Sequence, residues 1–482
     1  MKLFKSIGSL AVCMLAGCTV GPNYQRPAAP TPPEFKEQVP PPPNLASGTW
    51  TEAQPQDALH RGKWWEIYGD SKLNSLEEKV ATSNQSLVAA AQRYAAAREQ
   101  IRIVRADAFP TLGAGANASR TGQSQNKALY SSGSVTRYND FALLGQAAWE
   151  PDLWGRVRRG VEAAKSNAQA SAADLANAQL SLQSELALDY FLMRGLDRQQ
   201  QLLDSTVADY QRSLELTQRR FEGGVASAGD VALAQTQLQS TRSEAIDVGV
   251  ARAQFEHAIA TLIGVPASSF KLDAAPLDLT LPVVPPGLPS QLLERRPDIA
   301  SAERRVQAAN AQIGVAISAY YPSVTLFGGG GFESAQITTL IQGPAALWSL
   351  GGSATQLLFD AGRRKAVTQQ SRDLYEATAA DYRESVLTSF QEVEDSLAAV
   401  RILNEESRSE NSAVGYAEHS LTIANNRYKG GVTGYLEVLT AQTAQLNNQR
   451  SAADINTRQF VASVRLVRAI GGGWDASQLP SF

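Results

Sequence analysis

One cysteine stands where its chemistry can attach the chain to a lipid. Cys18 directly follows Ala16 and Gly17, at the end of a basic and then apolar segment that spans residues 1–17. This order is typical of a cleaved signal peptide, and small residues directly before a cysteine look like a bacterial lipobox. We expect Cys18 to be acylated and to begin the mature chain; the alternative is an ordinary secretory signal, with Cys18 an incidental thiol. Thr19, which replaces the aspartate that often retains such lipoproteins at the inner membrane, favours the outer membrane.

Few other side chains are suited to catalysis or metal binding. The three histidines, His60, His257 and His419, are far apart in the chain, and the second cysteine, Cys13, leaves with the signal peptide. The sequence has no serine-hydrolase motif, phosphate-binding loop or pair of metal-binding cysteines. We therefore expect no enzyme, no metal site and no cofactor apart from the covalent lipid on Cys18.

Charge and hydropathy exclude two further classes of protein. The 482 residues include 44 Lys and Arg against 47 Asp and Glu, and charges of both signs alternate along the chain. A nucleic-acid partner would require a clustered basic excess. The sequence contains no run of 18 or more apolar residues, so it encodes no transmembrane helix. A membrane role must therefore come from the lipid or from a β-barrel.

The elements that must position any site occur twice. Four pairs of segments match at one offset of 207 residues: Gly155-Arg156 with Gly362-Arg363, 220–225 with 427–432, 234–236 with 441–443, and Ile263-Gly264 with Ile470-Gly471. Upstream, Phe109-Pro110 matches Tyr321-Pro322 at an offset of 212. Self-similarity at this spacing predicts two tandem copies of one structural unit.

Each copy is expected to run helix, two strands, long helix, Gly-Gly tip and helix. The predicted layout is a signal peptide at 1–17, a Pro-rich arm at 18–60, a first repeat at 61–265, a linker at 266–296, a second repeat at 297–473 and a tail at 474–482. The first repeat is predicted to hold strands at about 110–119 and 141–150, a long helix at 155–221 and a helix at 226–264. The second is predicted to hold strands at about 322–332 and 347–359, a long helix at 362–428 and a helix at 433–470.

The strands and long helices have patterns of their own. Leu112, Ala114 and Ala116 alternate with small or polar residues, which suits a barrel wall between lipid and water, or else a soluble sandwich. Four strands cannot close a membrane barrel, so the chain must oligomerise; three copies supply 3 × 4 = 12 strands. Each long helix would extend roughly 100 Å. In the second, a coiled-coil-like seam is predicted from Tyr375, Ala379, Tyr382, Val386, Phe390, Val393, Leu397 and Val400.

Three sequence stretches add a family likeness to these features. They are 18–24 (CTVGPNY), Trp64-Trp65 followed by Asp70, Leu73 and Leu76, and 295–304 (RRPDIASAER). Together with the duplicated glycine tips, they resemble the TolC-like outer-membrane efflux proteins, in particular the OprM/NodT-type lipoprotein branch. The resemblance implies an α+β membrane protein: a homotrimeric 12-stranded outer-membrane barrel, continued by a long periplasmic α-helical barrel. It also implies a periplasmic adaptor, an inner-membrane pump of the resistance-nodulation-division type, and a Gram-negative host.

The same resemblance makes the two Gly-Gly turns candidate adaptor-docking tips. Their residues are Arg220, Gly223, Gly224, Val225, Arg427, Gly430, Gly431 and Val432. Glycine accepts positive φ where a helix ends, so turn chemistry alone also explains the pattern.

A gate is implied beside the tips. Asp230 falls where the family places an acid that bonds a tyrosine of the other tip, here Tyr428, although Asp230 also suits a capping box. Glu437 matches a constricting acid, or else favours its own helix N-terminus. Thr440 stands where an aspartate is usual, so Leu436 is an alternative, apolar constriction.

The expected function is a passive exit duct that conducts small molecules or drugs from a pump to the exterior. A protein-secretion duct of the same fold differs only in partner and cargo. A structural envelope lipoprotein would leave the four amphipathic strands unexplained.

Overall fold

The computed structural model describes residues 19–37, 63–126, 128, 131, 133, 135–284 and 289–482. Cys18, His60 and the predicted signal peptide lie outside the described residues. Seven helices of more than ten residues are described, and their bounds are α1 Ser71–Ser83, α2 Gln85–Ala106, α3 Arg156–Glu222, α4 Ala228–Leu262, α5 Pro297–Ser318, α6 Arg363–Lys429 and α7 Tyr435–Ala469. A short 3-10 helix, Trp64–Tyr68, precedes α1, and a single turn, Leu292–Arg295, precedes α5.

The two halves repeat as predicted. The long helices α3 and α6 have 67 residues each and begin 207 residues apart, and the 35-residue helices α4 and α7 keep the same offset. The 22-residue helices α2 and α5 are offset by 212. The change of offset therefore falls between the first strand and the long helix of each copy, where the sequence comparison places it.

A four-stranded antiparallel sheet joins the two copies. Its strands are β1 Thr111–Gly122, β2 Arg137–Trp149, β3 Ser323–Ser334 and β4 Ala346–Thr355, hydrogen-bonded in chain order. Trp149 of the first copy pairs with Leu326 of the second, so the central β2–β3 ladder crosses the repeat boundary. Among the described residues, β1 and β4 each pair with a strand on one side only. Leu112, Trp348 and Leu350 are 82–84% exposed, as expected for a wall with an outward apolar face.

Some predicted element bounds need correction. The strand predicted to reach residue 359 ends at Thr355, because its partner β3 begins at Ser323 and the preceding Pro322 has no N–H to continue the ladder. The first two strands extend to Gly122 and back to Arg137, beyond the predicted 119 and 141. The helices after each tip begin two residues later than predicted, since Ser227 and Gly434 are N-caps with extended backbone.

The predicted seam of α6 is the core of the second repeat. Six of its eight residues are buried, and Tyr375 and Val400 pack against them partly exposed. The seam meets Ile299 and Val306 of α5, while Phe191 of α3 and Phe460 of α7 lie 4.9 Å apart, with tilted rings, in a second core that joins the two repeats. Each long helix thus packs against shorter helices of its own copy, and α3 also packs against α5 and α7 of the other copy.

No helix in the described part of the chain is long and apolar enough to cross a membrane.

Candidate functional site

The two helix reversals after α3 and α6 share one backbone geometry. The amide of Val225 donates to the carbonyl of Arg220 at 2.8 Å, and the amide of Val432 donates to that of Arg427 at 2.9 Å. In each turn the second glycine carries the positive φ, 74° at Gly224 and 72° at Gly431. The first glycines, Gly223 and Gly430, have ordinary negative φ. The predicted use of glycine at the tips is therefore confirmed, with one obligatory glycine in each turn.

Both turns present a bare apolar side chain. Val225 is 66% exposed and Val432 is 71% exposed. Exposed apolar residues on turns are suited to contact with another protein. The docking role of the tips remains a prediction.

The first residues of α4 form the capping box that the sequence indicates. Ser227 Oγ accepts from the amide of Asp230 at 3.1 Å, and the Asp230 carboxylate accepts from the amide of Ser227 at 3.0 Å. This reciprocal pair satisfies two amides that the start of a helix leaves without intrahelical partners.

Tyr428 does not bond Asp230 in this structure, contrary to the latch that the resemblance implies. Its ring is buried, with the hydroxyl donating to Thr217 Oγ1 of α3 at 3.2 Å. The ring also meets Tyr435 edge to face at 5.7 Å. Because the hydroxyl points at α3 and the Asp230 carboxylate caps its own helix, the two groups have other partners.

Burial disfavours ionisation of two tyrosines in this part of the structure. Loss of water contact raises the pKa of Tyr435, and burial raises the pKa of Tyr210 to about 12. The Tyr210 hydroxyl donates to the carbonyl of Gln442 at 3.3 Å, which joins α3 to α7. Tyr210 and Tyr435 are therefore held in the neutral form, and both hydroxyls donate to Gln442 of α7.

The two tip arginines behave differently. The Arg220 guanidinium lies over the Tyr428 ring, 4.6 Å from its centroid, and donates to the Lys429 carbonyl at 3.2 Å. Arg427, its repeat equivalent, forms an ion pair with Glu437 at 3.2 Å within its own hairpin. The stacked arginine was not anticipated from the sequence, since residues so far apart in the chain give no local signal.

The proposed constriction residues lie together in the first turns of α7. Leu436 is 63% exposed, and Glu437 lies in the first turn, where a carboxylate is favoured by the helix dipole. The Thr440 hydroxyl donates to the Leu436 carbonyl at 2.9 Å and so is occupied by its own helix. This stretch offers an exposed leucine and a single paired carboxylate.

The described part of the N-terminal arm, residues 19–37, makes more contacts with the helices than its proline content suggests. The Tyr24 hydroxyl donates to Glu303 at 2.5 Å, and Phe35 is buried against the seam of α6. Glu394 of α6 accepts hydrogen bonds from the amides of Lys36 and Glu37. Gly21 is the one residue type in this segment that could have indicated a close contact. Its φ is positive, and it lies so close to Gly314 that a Cβ atom would not fit.

Metal-binding chemistry is not assembled among the described residues, which contain no group of three or more His, Cys, Asp or Glu suited to an ion. His257 and His419 are exposed on α4 and α6.

Comparison with known families and proteins gives a consistent result. The family model described as "Outer membrane efflux protein" matches residues 76–265 and 288–472, one segment in each repeat. The antibiotic efflux pump outer membrane protein ArpC of Pseudomonas putida is 33% identical over 98% of this chain and 96% of its own. The toluene efflux pump outer membrane protein TtgC, also of Pseudomonas putida, shows the same identity and coverage.

A solved structure shares the whole architecture. The outer-membrane channel OprN superimposes with a TM-score of 0.86 at 29% identity, over 95% of this chain and 100% of that one. The likeness therefore includes the sheet, both long hairpins and the turns at their ends.

Proposed function

The chain belongs to the outer membrane efflux protein family, and from this we propose that it is the exit duct of a tripartite efflux pump, passively conducting small molecules to the exterior. Its sheet lies in the outer membrane and its long helices form a tunnel in the periplasm. The observation that carries the proposal is the match of both repeats to the family, combined with a sheet whose apolar side chains are exposed.

The sheet edges support a trimer. In the part of the chain that the structure describes, β1 and β4 each have one edge without a strand partner, and lipid offers no hydrogen-bond partners to an open edge. If β4 of one copy pairs with β1 of the next, three copies close a barrel of 12 strands. The same closure would bring six long hairpins, two from each copy, into one ring.

The partners follow from the position of the tips. The exposed Val225 and Val432 are the docking residues we assign for a periplasmic adaptor, which would connect the tunnel to an inner-membrane pump of the resistance-nodulation-division type. Replacement of both valines by aspartate would place two charges in this contact. Loss of adaptor cross-linking with normal outer-membrane levels of the chain is expected, and unchanged cross-linking would contradict the assignment.

Acylation of Cys18 is proposed from the sequence. The described residues begin at Thr19, and Val20 donates through its amide to the Trp154 carbonyl at 3.1 Å, close to the start of α3. A lipid on the residue before Thr19 would then lie near the base of the sheet. Mass spectrometry of the mature N-terminus tests this: a mature chain that starts elsewhere, or an unmodified Cys18, would exclude it.

The duct itself does not specify which small molecules are transported. Two relatives of equal identity are named for antibiotics and for toluene, so similarity to either does not select a substrate. We propose that the pump determines what enters.

The decisive experiment is deletion of the gene in its own host, followed by measurement of dye accumulation with the pumps energised. Increased accumulation that a plasmid copy reverses is expected. The difference should vanish when the pumps are de-energised, because a passive duct supplies no driving force. No change across the dye panel would shift the interpretation toward a secretion duct or a structural role.

A further inference from the structure

Two arginines lie on the apolar face of the sheet. Residues directly opposite each other in an antiparallel sheet share a face, as do alternate residues of one strand. One complete row of the apolar face consists of Leu112, Ala147, Gly328 and Leu350. Arg120 follows Leu112 by eight residues, and Arg137 pairs with Gly122, which follows Leu112 by ten. Both arginines therefore share the face of the exposed leucines.

The acids of the sheet lie on its other face. Asp140 pairs with Ser119, and Glu333 pairs with Ala142, at positions that alternate with those of the apolar face. Among the residues of the four described strands, the apolar face thus has two cations and no anion, and the other face has two anions and no cation. The arginines have no acid on their own face with which to pair.

The two arginine side chains are close together and have no partner. Both are exposed, and neither has a hydrogen-bond acceptor or an ion-pair partner among the described residues. Arg120 is opposite Asn139, and Arg137 precedes Asn139 by two residues, so the arginines form a diagonal cross-strand pair. The Cα atoms of such a pair are about 7–8 Å apart. Neighbouring cations repel each other, and one anion bound by both would remove the repulsion.

The pair lies at the end of the sheet that is remote from the helices. β1 starts a few residues after α2 and β2 ends a few residues before α3, so Arg120 and Arg137 are at the far ends of their strands. From Leu112 to Gly122 a strand extends about 34 Å, or about 26 Å in height at a tilt of roughly 40°. The apolar band of an outer-membrane barrel is about 25 Å tall. The arginines are therefore placed at its outer boundary.

We propose that Arg120 and Arg137 form a binding site for the phosphate groups of lipopolysaccharide, the phosphorylated glycolipid of the outer leaflet. The inference rests on the proposed barrel, in which the apolar face of the sheet meets lipid. Guanidinium groups bind phosphate oxygens through paired, charge-assisted hydrogen bonds. Inner-leaflet phospholipids also carry phosphate, but the helices mark the opposite end of the sheet as the periplasmic one. Three copies would carry three such sites around the outer rim.

Native mass spectrometry of the purified full-length protein tests the site, with lipid A, the phosphorylated membrane anchor of lipopolysaccharide, as the probe. The Kd of Arg120→Gln/Arg137→Gln for lipid A should rise about 5- to 50-fold, as expected for loss of two exposed charge-assisted contacts. Arg363→Gln/Lys365→Gln is the matched control, because it removes two exposed cations near the periplasmic end of the sheet, where α6 begins. Its Kd should equal that of wild type.

The chemistry of the lipid provides a second comparison. Lipid A that lacks one phosphate should bind wild type more weakly, whereas Arg120→Gln/Arg137→Gln should show little further loss, because both changes remove the same interaction. Arg120→Lys/Arg137→Lys keeps the charges without the paired hydrogen bonds, so its Kd should lie between those of wild type and the glutamine variant. This comparison also tests the site if the glutamine variant does not assemble.

Three results would overturn the site: an unchanged Kd in the glutamine variant, an equal loss in the Arg363→Gln/Lys365→Gln control, or a lysine variant no different from wild type for both forms of lipid A. Phosphatidylglycerol that binds as tightly, with the same dependence on Arg120 and Arg137, would overturn lipopolysaccharide as the ligand. Conductance in planar bilayers tests the premise separately. The glutamine variant should conduct like wild type, and a wild-type protein that never conducts would count against the duct instead.

Discussion

A close approach of α3 to α7 gives a quantitative test of the helical packing. Gly195 lies in the middle of α3, where an added Cβ atom would be 2.3 Å from Thr457 Oγ1 and 2.6 Å from Thr457 Cγ2. Alanine normally stabilises a helix interior by about 1 kcal/mol over glycine. Overpacking at such a contact costs about 1–3 kcal/mol. We expect Gly195→Ala to lower the free energy of unfolding by roughly 0–2 kcal/mol as the sum of these effects.

Gly249 and Gly415 are the matched controls. Both are exposed helical glycines with nothing within 4 Å of a Cβ atom. Alanine there should gain about 1 kcal/mol, so the control and the test variant should differ by about 1–3 kcal/mol. For a chain of this length an unfolding entropy of roughly 2 cal/mol/K per residue makes 1 kcal/mol correspond to about 1 °C.

The assay is thermal unfolding in one detergent, at one protein concentration and one scan rate, with Thr457→Ala added to complete the cycle. Thr457→Ala removes both of the nearest atoms, so it should rescue Gly195→Ala with a coupling of at least about 1 kcal/mol. If Gly195→Ala melts as high as the Gly249 control, or if Thr457→Ala gives no rescue, the helices are not limited by this contact and the reasoning is refuted.

Two further predictions concern the sheet and a buried acid. Gly331→Ala should abolish stable outer-membrane insertion, because its Cβ atom would lie 2.0 Å from the Leu143 carbonyl oxygen, whereas Gly113→Ala meets nothing within 4 Å and should reach wild-type levels on immunoblots of membrane fractions. Equal levels of the two variants would contradict this account of the β2–β3 ladder. Burial, and then the charge of Glu185, raise the pKa of Asp189 to about 7, so the folded state binds this proton more tightly than the unfolded state and the free energy of unfolding falls between about pH 4 and pH 7. Asp189→Asn should therefore raise the melting temperature at pH 8 and leave it nearly unchanged at pH 5; equal shifts at both pH values would argue against the titration of Asp189.

Sequence patterns predict the architecture well where the physical cause is local. The offset of 207 residues predicts both pairs of long and short helices to within two residues, because helix ends are set by glycines and caps that the repeat copies. The seam of α6 follows from apolar spacing alone. Strand ends are less accurate, since they depend on which residue lies opposite in the ladder, as Pro322 and Thr355 illustrate.

The site is predicted less well because its contacts join residues that are far apart in sequence. The capping box of Asp230 spans three residues and is foreseen, whereas the partner of the Tyr428 hydroxyl is Thr217 on another helix. Family resemblance placed Tyr428 at the tip, but the rotation of its side chain is decided by packing against Tyr435 and Arg220. Likewise, the proline content predicts an extended arm, but it does not indicate that the amide of Lys36 binds the carboxylate of Glu394.

The seated arm has a mechanical consequence. From Val20, bound beside the start of α3, the arm reaches Glu37, which pairs with Arg401 at 2.7 Å, 38 residues beyond the first residue of α6. Seventeen residue steps of extended, proline-rich backbone cover roughly 53 Å, and 38 helical steps rise roughly 57 Å. The described arm therefore runs beside α6 over a length similar to the rise of that helix, with bends at residues 33–34 and a turn at residues 36–37. A force that displaces α6 would therefore also act on the arm, through the contacts of Lys36 and Glu37.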